Sequence, residues 1–178
     1  IAALVQLHHL RAANQLNALL TVLKFPYDPI QREARKFVTD ELAELLEDPD
    51  FRRELEDGAA DRVKHKELIV CDYYERIGSF IKNGLLAADL YLDQSTPDLT
   101  WRRVEPAVSI ARRKRGSTVY ENFEYLIALS RAWDKRHPNG NYPGTIGRLT
   151  LNDPWLAIDS AAQPTEDALL RHSELVEP

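Results

Sequence analysis

The chain has 178 residues, 44% of them hydrophobic and 29% charged, which suits one soluble globular domain with a real core. Its net charge of −5 weighs against a general nucleic-acid binder, which carries a basic excess. A single cysteine, Cys71, excludes an internal disulfide and a multi-cysteine metal site, and fits a reducing compartment.

The chain starts at Ile1 and contains no methionine, so further residues are expected before it. Its opening, IAALVQLHHL, is apolar on nearly every side. A first helix is expected over 2–24, with Val5, Ala12, Leu16, Leu19, Leu20 and Leu23 at helical spacing. The segment KFPYDP breaks it. Asp28 is a good N-cap and Pro29 fits the first helical position, so a second helix follows, with Ile30, Ala34, Phe37, Val38, Leu42 and Leu45 inward. DPDFRRELEDG repeats the device: Asp48 caps, Pro49 starts, and Gly58 ends a short third helix.

A fourth helix is expected over 61–83. At 100° per residue Ile69, Val70, Tyr73, Tyr74, Ile77, Phe80 and Ile81 fall in one arc, with Asp72 and Glu75 opposite. Asp72 and Arg76 are four apart and can pair along the surface. Gly78, at the edge of the arc, leaves room for a neighbouring helix. Gly84 suits a left-handed C-cap, and LLAADLYLD restarts as a short helix at a new angle. A sixth helix runs from Trp101 toward Arg115, with Pro106 near its first turns. A seventh covers STVYENFEYLIALSRAW, capped by Ser117 or Thr118, with Glu121 and Glu124 together on its outer side. From Lys135 on, a run rich in Gly, Pro and Asn reads as an irregular arm, and PTEDALLRHSELVEP can form one more short helix.

Charge is unevenly placed. Ten acids lie in 40–61 against only Arg52 and Arg53. In 101–116 the bases Arg102, Arg103, Arg112, Arg113, Lys114 and Arg115 face only Glu105. Such asymmetry can orient a protein at an anionic surface or join two subunits, although solvated helix faces carry similar patterns.

Signatures of catalysis are absent. There is no phosphate-binding glycine loop and no nucleophile elbow. None of the histidines, His8, His9, His65, His137 and His172, has a glutamate three residues before it, so the di-iron bundle pattern is missing. Glu121 and Glu124 share a face and could act as a carboxylate pair if their surroundings split their pKa values. The alternative is a salt-bridged surface. Glu75 reads as a flank of a packing helix. The tyrosines and Trp133 read as core, and Cys71 as an inert small side chain.

Five segments carry a resemblance: QLHHLRAANQLNALLTVLKF, REARKFVTDEL, DYYERIGSFIKNGLL, WRRVEPAVSIARRKRG and YENFEYL. Together they resemble a bacterial family of all-helical proteins known only as a domain of unknown function, commonly with a transmembrane helix before the soluble part. The resemblance covers 6–133. It implies a membrane-tethered helical domain and supplies no activity, cofactor or catalytic residue.

The expected fold is therefore all-α, a bundle of six or seven helices. Its parts are a membrane-proximal amphipathic helix (1–24), a bundle domain (25–136) and an extended C-terminal arm with a short helix (137–178). The expected function is a non-enzymatic, membrane-associated interaction or scaffold domain facing the cytoplasm. Its candidate contact surface is Arg102, Arg103, Arg112, Arg113, Lys114 and Arg115. No catalytic, cofactor or metal residue is assigned. A protein partner or self-association is expected, with the membrane reached through a segment upstream of Ile1 and no small-molecule ligand. Two alternatives stay open: anionic lipid or nucleic acid bound by the basic helix, and an enzyme using Glu75, Glu121 and Glu124.

Overall fold

The computed structural model describes residues 2–155. Among them are eight α-helices and no strand: α1 (Ala2–Lys24), α2 (Pro29–Asp40), α3 (Leu42–Leu45), α4 (Pro49–Asp57), α5 (Glu67–Lys82), α6 (Ala88–Leu92), α7 (Pro97–Arg115) and α8 (Glu121–Arg136). The all-α expectation holds. The extra helix arises where the expected second helix breaks at Glu41, whose backbone leaves helical geometry (φ −123°, ψ −34°).

The caps read from the sequence form as expected. Asp28 Oδ1 accepts from the Ile30 N–H at 2.8 Å, and Asp48 Oδ1 from the Asp50 N–H at 2.9 Å. Each satisfies an amide that the helix itself cannot pair. Gly58 closes α4 at φ +72° and Gly84 follows α5 at φ +70°, both left-handed. At three other places the boundaries differ. Residues 61–66 form turns, so α5 begins at Glu67 rather than Asp61. Helix α7 begins at Pro97, which places Pro106 in its middle. Pro106 lies on an exposed face, where the carbonyl it leaves unpaired can be solvated. Helix α8 is capped neither by Ser117 nor by Thr118; Tyr120 occupies that position.

The core lies where α4, α5, α7 and α8 meet, with α2 against α5. Phe123 is fully buried, stacks on Tyr74 at 4.7 Å and meets the edge of Trp101 at 4.8 Å. Burying such a ring contributes about 2–3 kcal/mol. Phe51, Ile77, Leu126 and Val104 are buried in the same core. Two inward assignments are corrected. Ile30 is 61% exposed, and Gln31 is buried in its place, donating to the Ile69 carbonyl at 3.4 Å. On α1, Leu16 and Leu20 are exposed while Leu19 and Val22 are buried. The apolar band there is wider than the strip that packing can cover.

The chain divides into two units, Ile1–Asn141 and Tyr142–Pro178. In the second, the described residues Tyr142–Trp155 contain neither helix nor strand. There Tyr142 donates to the Gly147 carbonyl at 3.2 Å and lies under Arg148, 4.6 Å from ring to guanidinium. The helix expected in PTEDALLRHSELVEP falls outside the described residues.

Candidate functional site

The three carboxylates open to catalysis are all engaged. Glu75 is half-buried rather than a free flank. Its Oε1 accepts from Asn122 Nδ2 at 2.7 Å and its Oε2 from the Phe123 backbone N–H at 2.8 Å. It therefore caps α8 from another helix and places a negative charge at the positive end of the α8 dipole. That cap is needed because Tyr120, the residue before α8, sits in the left-handed region at φ +57° with no side-chain cap of its own. The neighbouring acid on α5 completes the clamp: Tyr120 donates its hydroxyl to Asp72 Oδ1 at 3.3 Å. Asp72 does not pair with Arg76. It takes a two-pronged contact from Arg62, at 2.8 and 2.7 Å, while Arg76 lies over the Phe25 ring. Glu121 and Glu124 sit on the surface and pair with Lys82 at 3.5 Å and Arg112 at 2.8 Å.

Sequence reasoning missed a buried polar cluster at the start of α5. His65 is fully buried against the Phe51 ring at 4.0 Å. Its Nδ1 lies 2.8 Å from Glu67 Oε1 and its Nε2 2.9 Å from Glu54 Oε2. Lys64 closes the cluster from outside, 2.6 Å from Glu54 Oε1. Burial pushes the Glu67 carboxyl above its usual range, against the pull of the His65 hydrogen bond. The cluster ties the 59–66 turn to α4 and α5. Glu54, His65 and Glu67 were visible, but nothing in their spacing said that the turn between α4 and α5 would bring them together beside Phe51. The Cys71 thiol is buried and free, and burial holds it protonated.

The basic helix is not one surface. At the C-terminal end of α7, Arg112 pairs with Glu124 and donates to the Val119 carbonyl at 2.8 Å, and Lys114 pairs with Asp57 of α4 at 2.7 Å. Arg115 packs its stem over Gly58. So the acidic segment already neutralises part of the basic one within the chain. Arg113 is exposed without an ion pair. At the other end Arg102 holds Asp98 at 2.8 Å, and Arg103 donates to the Thr39 hydroxyl at 2.6 Å.

That second end borders a cleft of about 790 Å³ among α1, α2, α5, α6 and α7. Tyr73, Tyr74 and Tyr91 form much of its wall. Tyr73 donates to the Val22 carbonyl at 3.2 Å, Tyr74 meets the Thr100 hydroxyl at 3.3 Å, and Tyr91 meets Ser95 at 3.0 Å. Burial pushes Tyr73 up to about 12 and raises Tyr74 and Tyr91, so all three stay protonated at neutral pH. Lys24 and Arg35 supply positive charge, and Arg35 is fixed by donating to the Pro26 carbonyl. A second hollow of about 410 Å³ shares Arg35, Leu99 and Thr100 with the cleft and adds Arg102 and Arg103. These residues come from five separate elements, so no motif in the sequence marks them.

Among the described residues, no group of three or more His, Cys, Asp or Glu is placed to hold a metal ion. Among them, too, no helix is long and apolar enough to cross a membrane. No curated protein and no solved structure matches the chain. Residues 1–133 match a family model described as a domain of unknown function, and the chain belongs to that family, DUF4760.

Proposed function

We propose that this chain is a non-enzymatic interaction domain that works beside a membrane on its cytoplasmic side, with α1 as the face that meets a helix of a protein partner. The observation that supports this is the unequal burial along α1. Leu19 and Val22 are 6% and 4% exposed, whereas Leu10, Leu16 and Leu20 are 61%, 53% and 47% exposed. Leucines left open at this level on one long helix fit coverage by another helix. The engaged carboxylates point the same way: Glu75, Glu121 and Glu124 each have a structural partner, and none lines the tyrosine cleft.

Two measurements test the parts separately. Fractionation of the full-length protein tests the membrane part, and recovery in the soluble fraction at low salt without detergent would defeat it. The double substitution Leu10→Glu and Leu16→Glu tests the contact face. It should lower the mass of the detergent-extracted complex while leaving the unfolding transition of the domain in place. An unchanged complex mass would remove α1 from the interface.

A further inference from the structure

We propose that the cleft walled by Tyr73, Tyr74 and Tyr91 binds an organic anion, a phosphate or carboxylate head on an apolar body. The first support is charge. Neither the cleft nor the hollow that joins it has a carboxylate in its lining, although the chain as a whole carries −5. Three of the four cations there lack an acidic partner. Arg35 donates to a backbone carbonyl and Arg103 to a hydroxyl, and Lys24 forms no ion pair. Only Arg102 is neutralised, by Asp98. Elsewhere some bases are paired with acids, as Lys114 with Asp57 and Lys66 with Glu33, and others, such as Arg52 and Arg76, are held by a backbone carbonyl or an aromatic ring. Arginine forks held in place by neutral acceptors keep their charge and further N–H donors for an incoming oxyanion.

The second support is shape and polarity. A volume of about 790 Å³ suits a small organic ligand better than a bare ion. Leu20, Tyr27 and Leu99 line it while remaining 47%, 80% and 62% exposed, an apolar mouth beside the cations. The protonated tyrosines, with Ser95 and Thr100, offer hydroxyls rather than negative charge. A head at Arg35, which lines both spaces, with Lys24 on the cleft side and Arg103 on the hollow side, and its body across Leu99 and Tyr27, uses both features.

The same chemistry could come from a free metabolite or from a lipid headgroup, and the probes separate them. The full chain is titrated with octyl phosphate below its micelle concentration, with inorganic phosphate, and with octyltrimethylammonium, which has the same tail and the opposite charge. Sedimentation with phosphatidylcholine vesicles, with and without phosphatidate, is run in parallel. Octyl phosphate should bind, inorganic phosphate should bind at least tenfold more weakly, and the cation should not compete. Binding to phosphatidate vesicles alone, lost on Arg103→Gln, would assign the lipid as the source and still support the site. Arg35→Gln and Arg103→Gln should each weaken octyl phosphate binding by about tenfold or more. Arg35 also braces Pro26, so Lys24→Gln, a change at an exposed side chain, serves as the variant that keeps the fold. Equal binding of the cationic amphiphile, or unchanged affinity in both Arg103→Gln and Lys24→Gln, would overturn the proposal. The Leu10 and Leu16 substitutions lie outside the cleft lining and should leave octyl phosphate binding intact.

Discussion

The seam between α5 and α8 and the tyrosine cleft are built with residues of the same helix, and they treat polar groups in opposite ways. Along the seam the acids are engaged. Glu75 meets the amides that begin α8, Asp72 meets Arg62 and Tyr120, and Lys82 meets Glu121. The helices touch so closely that a Cβ on Gly78 would lie 1.9 Å from the Asn122 carbonyl oxygen. In the cleft, cations face open space and neutral hydroxyls. Tyr74 belongs to both regions, its ring stacked on Phe123 and its hydroxyl against Thr100. The lesson is that charges of the seam are neutralised within the fold, while Lys24 and Arg35 at the cleft are not. Changes in the seam should therefore cost stability, and changes in the cleft should not.

The largest effect is expected at Gly78→Ala. On an open helix this change would stabilise by about 1 kcal/mol through helix propensity. Here the new methyl meets backbone, which cannot rotate away, so the seam must open at a net loss of about 3 kcal/mol in urea unfolding. A gain in stability would mean that the two helices are not in contact at this point. Next is Glu75→Gln. The amide keeps one acceptor for two donors and removes the anion from the start of α8, so a loss of about 2 kcal/mol is expected. A loss below about 0.5 kcal/mol would return Glu75 to the role of a surface flank and reopen the question of its chemistry.

Asp98 links the two regions. It sits at the start of α7 beside the cleft wall, 10% exposed, and takes Arg131 of α8 and Arg102 at 2.8 Å each. Burial pushes its pKa up, but the hydrogen bonds from Arg131 and Arg102 outweigh burial and hold it below its ordinary value of 3.8. A carboxyl with a depressed native pKa binds protons less readily than in the unfolded chain. Its contribution is full above the ordinary value and disappears as pH falls through the lower native one. Asp98→Asn should therefore lose about 1 kcal/mol at neutral pH and show a shallower fall in stability below pH 4 than the parent, measured by thermal unfolding across pH. An unchanged acid limb would show that Asp98 is not what joins α7 to α8. The smallest effect is expected at Arg103→Gln. Its only bond is to the Thr39 hydroxyl, so stability should stay within about 0.5 kcal/mol. A loss well beyond that would make the cleft cations structural and erase the contrast with the seam.

The sequence by itself determined the helices and most of their ends. Asp28-Pro29 and Asp48-Pro49 announce starts, and Gly58 and Gly84 announce stops, because capping and left-handed geometry depend on the residue itself and its nearest neighbours. Gly78 was legible for a similar reason: a missing side chain at the edge of an apolar arc leaves a gap that only a close neighbour can fill. Which side of a broad apolar band is buried was not legible. Leu16 and Leu19 look equivalent along α1, and Ile30 looks more apolar than Gln31, yet Leu19 and Gln31 are the buried ones, Gln31 with its amide on the Ile69 carbonyl of α5. Partner choice among charges was less legible still. Asp72 had Arg76 one helical turn away and took Arg62, and Glu75 found an amide pair on α8. Only the tertiary structure decided that Lys24 and Arg35 would share one carboxylate-free cleft with three tyrosines, and that Arg103 would line the hollow bordering it. Helical periodicity specifies a face of one helix, whereas a cavity is the space left among several, and its lining depends on how far and at what angle each of them packs.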